Sequence, residues 1–457
     1  MNAPGGAAAA RAVTRCKAAA DSLWGRWLTL PPLNQDALLY GLAGLFAVGT
    51  LVMAVSADYR EWAAMAMGPY FCAAAVSVVV ARRRRSDQAA ARRTRAATAL
   101  ALVAVTVVVP LCLEVVWRAD ARTGAHAQPE VAVIERAGDR LAAGADPYPA
   151  RPSTPGVSPS SDRHSIDTTS FFPYLPAMAV FGLPNATGAG RELGDARVAL
   201  AGATILLAAV ALLLALGDRD RRWRTLQMLI ALPTGALPLV TGGDDLPVLA
   251  LMLLALVLAA RRRPVLAGLA IGLASTMKFT AWGLLVLLAL AVRDSEDSRA
   301  AGRYLAAAAA VVVPVVTAGV VAGPHAFFVN VVEFPLGLGR VHSPAASPLL
   351  GQELVVLLPH LKKVLTALLF GVAGAVVIWA LVRRTPRTPA AVARFAALAL
   401  ILVIVVAPAT RFGYFIYPVN LLVWGALLRS FPGSASPAPA PARELQAAAR
   451  TEPVPAG

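Results

Sequence analysis

Charge is scarce in this sequence. Of its 457 residues, 15% are Asp, Glu, Lys or Arg, only four are lysine, and 58% are hydrophobic, with a mean hydropathy of +0.64. A soluble chain of this length needs far less apolar residue to fill its core, so the composition is that of a polytopic membrane protein. Cysteine is sparse too. Cys16, Cys72 and Cys112 have no metal-ligand spacing, and the last two lie in or beside apolar runs, which reads as buried free thiols. There is no ATP-binding loop, no Rossmann glycine motif and no internal repeat of the kind that pairs broken helices in transporters. No cleavable signal peptide is expected, because the basic N-terminal region runs straight into a full-length apolar span.

What charge there is carries information through its placement. The net charge is +16 and the isoelectric point near 10.7. A nucleic-acid binder would gather basic residues on a folded polar surface. Here they fall in short clusters between apolar runs, as in cytoplasmic loops of membrane proteins, so nucleic acid is excluded as a partner. With roughly 20 apolar residues needed per crossing, the chain is expected to be an all-α integral membrane protein with about twelve transmembrane helices. The clearest are Leu38 to Ala57, Ala96 to Val116, Arg197 to Leu216, Leu305 to Ala322, Val364 to Val382 and Val392 to Pro408. Weaker ones are Leu226 to Leu239 with Leu246 to Ala260, and Val265 to Met277 with Phe279 to Val292. The expected organisation is an N-terminal cytoplasmic segment over 1–35, a membrane domain over 36–430 and a Pro/Ala-rich disordered cytoplasmic tail over 431–457.

Orientation follows from five basic clusters: "ARRRRSDQAAARRTR" from Ala81, "GDRDRRWR" from Gly217, "ARRRP" from Ala260, "RDSEDSRAAGR" from Arg293 and "RRTPRTP" from Arg383. They lie on alternate connections, so one cytoplasmic assignment satisfies all of them. The opposite, external face then receives a long loop over 117–170, the "TGGDD" turn, Lys278, a second loop over 323–363 and "TRFGYF". All five histidines, His126, His164, His325, His342 and His360, fall on that side.

Each polar group there has an ordinary reading beside a chemical one. From Val131, apolar residues recur at three- and four-residue steps through Ile134, Ala137, Gly138 and Leu141, with Glu135, Arg136, Asp139 and Arg140 on the other face. That pattern predicts a short interfacial helix, started by Pro129 and ended by Gly144 and Asp146-Pro147. Glu130 in its first turn is either a carboxylate favoured by the helix N-terminus or a functional acid. Asp244 and Asp245 follow a Gly-Gly turn. One can cap the next helix, and the pair is also a functional candidate at the membrane surface. Lys278 lies between two apolar half-spans, where it either snorkels or meets an anion, a carboxylate or a bound phosphate. Arg340 and His342 sit in a Gly/Pro/Ser-rich loop that suits binding or plain solvation. Arg411 and Tyr414 read as an interfacial belt or as phosphate contacts. Together, a carboxylate and several cations on one membrane face fit transfer from a lipid phosphate. The acid would take a proton from an acceptor hydroxyl, and the cations would steady the departing phosphate.

The order of these motifs resembles glycosyltransferase family 87, the polyprenyl-phosphate-mannose-dependent mannosyltransferases of actinobacteria with the C-type glycosyltransferase fold. The carriers are "PEVAVIERAGDRLAAGADPY", "FFPYLPAMAVFGLP", "TGGDDLPVLAL", "GLASTMKFTAWGLL", "SPAASPLLG" and "RFGYFIYP", spanning roughly Glu114 to Leu428. The resemblance implies an acidic general base about fourteen residues before the glycine of the Gly-x-x-Pro-Tyr element, and Glu130 stands fourteen before Gly144. Family members carry Asp followed by Leu or Phe where this chain has Glu130-Val131, one methylene longer. For Lys278, Arg340, His342 and Arg411 the resemblance implies contacts to phosphate or sugar, and Asp244, Asp245 and Tyr414 are expected to join them in binding substrate. The expected activity is transfer of a hexose, first of all mannose, from a polyprenyl phosphate to an external glycan, glycolipid or protein acceptor at the plasma membrane, with inversion. No cofactor is required, since Lys and Arg can meet the phosphate charge; Asp244 and Asp245 leave a divalent cation open. The alternatives are a transporter or flippase of a polyprenyl-linked sugar and a non-catalytic scaffold.

Overall fold

The computed structural model describes residues 27, 29–83, 87–121, 126–149, 170–188, 190–215, 218–338 and 345–429. Among them there is no β-strand, only an isolated bridge between Ala346 and Thr410. Long apolar helices are α1 (Pro32–Met53), α2 (Ala57–Arg83) and α3 (Gln88–Ala121), followed by the amphipathic α4 (Pro129–Ala142) and by α5 (Ala196–Leu214). Shorter ones follow: α6 (Pro233–Thr241), α7 (Asp245–Ala260), α8 (Pro264–Ser275) and α9 (Trp282–Ser295). The chain then runs through α10 (Ser298–Ala322), α11 (Pro359–Arg383), α12 (Pro389–Val406) and α13 (Phe412–Leu428). Seven of these, α1, α2, α3, α5, α10, α11 and α12, are long and apolar enough to cross a membrane. The all-helical membrane protein expected from composition is therefore present. Its expected tail over 431–457 and residues 122–125 and 150–169 of the 117–170 loop lie outside the described residues.

The chain divides into two compact units, 1–127 with 230–241, and 128–229 with 242–457. In the first, a buried ion pair of Arg95 with Asp36, 2.6 Å, ties α3 to α1. Such a pair is tolerable away from water because both charges are matched. A π-turn over Ala104–Val108 loosens the hydrogen-bond ladder of α3, and Trp62 of α2 donates its Nε1–H to the Thr106 carbonyl there at 2.9 Å. Cys72 and Cys112 are exposed, which corrects the reading of them as buried thiols. Membrane helices turn apolar side chains outward as well as inward, so a cysteine in an apolar run need not face the core.

In the second unit, α7 is apolar on every side and nearly all of its side chains are buried, as befits a central helix. Helix α4 starts with Pro129 at its first position and ends before Gly144, whose φ is 70°, as the sequence signals predict. Its moderate length and apolar stripe seat it on the 3-10 turn Pro176–Gly182. Gly138 and Gly182 permit backbone contact, since a Cβ on Gly138 would stand 2.1 Å from the Gly182 carbonyl carbon. Glu135 is only 8% exposed and accepts the N–H of Ala196 at 3.2 Å. The expectation that Glu135 belongs to the solvated face of α4 is thus corrected: it satisfies an orphan donor in the first turn of α5, which a periodicity argument does not see.

Candidate active site

Four chain segments meet in the second unit to build the site. The first is the start of α4. Glu130 occupies its first turn, where the helix dipole favours a carboxylate. The second is the turn Gly242–Asp245. Gly242 holds φ at 118°, a conformation glycine adopts readily, and a Cβ there would fall 2.2 Å from Cγ2 of Val131, the residue after Glu130. The close approach of this turn to α4 fixes the aspartates relative to Glu130.

The third segment is the break between α8 and α9. Lys278 is extended, with φ −147°, so the helical hydrogen bonding stops at Thr276 and Met277. Their carbonyls accept the N–H groups of Ala177 and Leu175 at 3.1 and 3.0 Å. Interrupted backbone within apolar surroundings requires such partners, and they seat the "FFPYLPAM" segment beside Lys278. Tyr148, from the Gly-x-x-Pro-Tyr element, donates to the carbonyl of Tyr174 at 2.9 Å and holds that segment from the other side. The fourth segment leads into α13. Thr410 pairs with Ala345 and Ser347, the N–H of Phe412 donates to Ser347 Oγ at 3.0 Å, and Arg411 between them is extended.

The side chains form two ionic groups. Arg411 donates from Nη1 to Oε1 of Glu130 at 2.7 Å, joining residues 281 positions apart; their side chains are 39% and 23% exposed. Lys278 lies between Asp244 and Asp245, with Nζ 2.8 and 2.5 Å from their Oδ1 atoms. The hydroxyl of Tyr417 also donates to Asp245 Oδ1, at 2.6 Å. The Tyr174 ring carries the Lys278 ammonium 5.0 Å from its centre. Tyr174 interacts electrostatically with both Glu130 and Asp244, and Tyr414 with Arg411, Lys278 and both aspartates, so the two groups make one cluster. Burial alone would lower the Lys278 ammonium, but the neighbouring carboxylates outweigh it and hold the amine protonated. Burial also lifts the Asp244 carboxyl above its ordinary range, against the pull of Lys278.

The structure therefore brings together Glu130, Asp244, Asp245, Lys278, Arg411 and Tyr414, all singled out in the sequence. Arg340 and His342 lie outside the described residues. Neither aspartate caps α7 through its side chain: Asp244 holds the cap position with no such hydrogen bond, and both carboxylates turn to Lys278. The anion that Lys278 meets is thus a carboxylate pair. Tyr148, Tyr174 and Tyr417 were within quoted motifs yet not singled out. For Tyr174 and Tyr417 the signal is a phenol within or beside an apolar run, where the hydroxyl needs a partner; Tyr148, in "GADPYPARP", carries no such signal.

Chemically, the cluster offers a carboxylate with one oxygen oriented by a guanidinium, next to a carboxylate pair neutralised in part by an ammonium. No group of three His, Cys, Asp or Glu side chains suited to a metal ion occurs among the described residues. The cation between Asp244 and Asp245 is the ammonium itself.

Comparison with known families gives a match to glycosyltransferase family 87 over residues 172–408, just over half of the chain. The matched range holds Tyr174, Asp244, Asp245 and Lys278, but begins after Glu130 and Tyr148 and ends before Arg411. No curated protein and no solved structure matches this sequence. The match covers the aspartate pair and the broken helix that holds Lys278, and with it the chain belongs to glycosyltransferase family 87 and is a membrane glycosyltransferase.

Proposed function

We propose that this enzyme transfers a hexose, with mannose as the first candidate, from a polyprenyl phosphate to a glycan, glycolipid or protein acceptor outside the cell, inverting the anomeric carbon. The observation that carries this reading is the pairing of Glu130 with Arg411 beside the Asp244–Lys278–Asp245 group. Arg411 occupies Oε1 of Glu130 and leaves Oε2 to receive a proton. As the acceptor hydroxyl gives that proton to Glu130, its oxygen bonds to the anomeric carbon. The bond from that carbon to the phosphate oxygen breaks, and its electron pair leaves with the polyprenyl phosphate. The guanidinium donors of Arg411 that do not hold Glu130 are available to the departing oxygens. Lys278 keeps Asp244 and Asp245 in place and moderates their charge. In this reading the N- and C-termini and the basic connections face the cytoplasm and the cluster lies on the external side of the plasma membrane, which the alternation of the basic clusters supports.

The test is sugar transfer from radiolabelled polyprenyl-phosphate-mannose in membranes holding the intact chain or Glu130→Gln. Glutamine keeps the shape and removes the base, so transfer falls by about 10² to 10⁴-fold. Equal transfer by the variant overturns Glu130 as base. Absence of transfer from every polyprenyl-phosphate sugar by the intact chain overturns the donor class.

A further inference from the structure

Among the described residues, neither cation of the cluster is free of a carboxylate. Glu130, Asp244 and Asp245 face Arg411 and Lys278, and both of these cations are engaged by the carboxylates. A lipid-linked phosphodiester brings further negative charge, and its departure as a monoester brings more. Binding it calls for positive charge that is not already matched.

Lys362 is a cation outside that carboxylate set. It lies near the start of α11, is half-buried and makes no ion pair among the described residues. Lys363 beside it is exposed, and Val364 and Leu368 further on are exposed apolar side chains that suit a lipid-facing surface. A lysine at a membrane boundary ordinarily stretches toward the headgroups, as the exposure of Lys363 allows. Lys362 instead packs against the turn at Gly337. A Cβ built on Gly337 would stand 3.5 Å from Lys362 Nζ and 3.6 Å from the Ala409 Cβ, two residues before Arg411. Gly337, at φ 63°, leaves that approach to the ammonium uncovered.

This wall is continuous with the cluster. Phe334, whose carbonyl accepts from the Gly337 N–H at 2.9 Å, stacks on Phe171 with ring centres 4.1 Å apart. Phe171 begins the segment that carries Tyr174. On the other side, the bonds of Thr410 to Ala345 and Ser347 hold the segment from Ala409 to Arg411. A half-buried ammonium with no counter-ion among the described residues gains from an anion that joins it. We infer that Lys362 binds the phosphate of the lipid-linked substrate, a contact that rests on the donor class proposed above.

Two sources could present that phosphate chemistry, the polyprenyl phosphate and an ordinary phospholipid headgroup. The experiment uses the full chain in nanodiscs, with Lys362→Gln, Lys362→Arg and Lys363→Gln. Donor kinetics are measured together with inhibition by sugar-free polyprenyl phosphate, in nanodiscs of neutral and of anionic phospholipid. Lys362→Gln is expected to raise both KM for the donor and the inhibition constant about tenfold with little change in kcat, Lys362→Arg to restore most of this, and Lys363→Gln to change neither. Thermal unfolding of the variants checks folding. Equal constants for Lys362→Gln and Lys363→Gln, with the intact chain active, overturn this inference alone. So does a Lys362 effect confined to the response to anionic phospholipid. An intact chain that neither transfers from polyprenyl-phosphate sugars nor binds polyprenyl phosphate overturns the donor reading, and this contact with it.

Discussion

Glu130 and Arg411 show how far single residues can be read. Each stood out by chemical type and by its place at the end of an apolar run, but nothing local relates two positions 281 apart. Their pairing is a product of tertiary structure. The same is true of Lys278, whose need for an anion followed from its apolar flanks, while the identity of that anion as Asp244 and Asp245 did not. Two outcomes follow for these residues. Glu130→Asp keeps a carboxylate but draws it back by one methylene from Arg411, so transfer falls while staying well above that of Glu130→Gln; equal rates for the two variants would argue against a proton-transfer role. Lys278→Met leaves two adjacent carboxylates without their cation, one of them only 6% exposed. Breaking a buried pair from one side costs about 3–5 kcal/mol, and partial access of water to Asp245 puts the expected loss at the lower end. Thermal unfolding in detergent measures it, and adding Asp244→Asn should recover part of the loss. Because the ammonium already fills the space between the aspartates, chelation of divalent ions should leave transfer by the intact chain unchanged; loss of activity with EDTA, restored by a metal, would contradict that.

At the scale of elements, what could be read depended on whether the determinants were local. Pro129 and Gly144 bracket α4 as expected, because helix initiation and termination are set by nearby backbone chemistry. The burial of Glu135 was hidden, since it depends on where α5 begins. Helix α2 was not among the clear spans: Asp58, Arg60 and Glu61 fill its first turns and Pro69 lies inside it, and the apolar run shows only beyond them. The contact of Gly242 with Val131 of α4 was equally invisible, although "TGGDD" announced a turn. This contact supports a double-mutant test. Gly242→Ala places a methyl against Val131 at a strained φ, costing about 1–3 kcal/mol. Val131→Ala removes the opposing Cγ2, so the double variant should be less destabilised than the sum of the two singles, with the φ strain remaining. Strict additivity in thermal unfolding would show that the turn does not rest on Val131. If the turn positions the aspartates relative to Glu130, transfer by Gly242→Ala also falls more than its stability loss explains.

For the whole molecule, the basic clusters and the active cluster segregate along the chain in a regular way. In the second unit the connections at Arg261–Arg263, between α7 and α8, and at Arg384–Pro386, between α11 and α12, carry arginine. The opposite ends of the same helices carry Asp244, Lys278 and the segment to Arg411. In the proposed orientation the arginine-bearing ends face the cytoplasm, as the positive-inside rule expects, and the proposed lipid-linked donor meets its acceptor at the other ends. Single cysteines placed in a cysteine-free background test this with a membrane-impermeant maleimide on intact cells. Cysteine at Arg262 or Arg387 should label only after the membrane is opened, whereas cysteine at Thr187 or Phe412, both exposed positions, should label at once. Immediate labelling at Arg262 together with protection at Phe412 would invert the orientation and move the Glu130 cluster to the cytoplasmic face, where a donor and acceptor on that side would have to be sought.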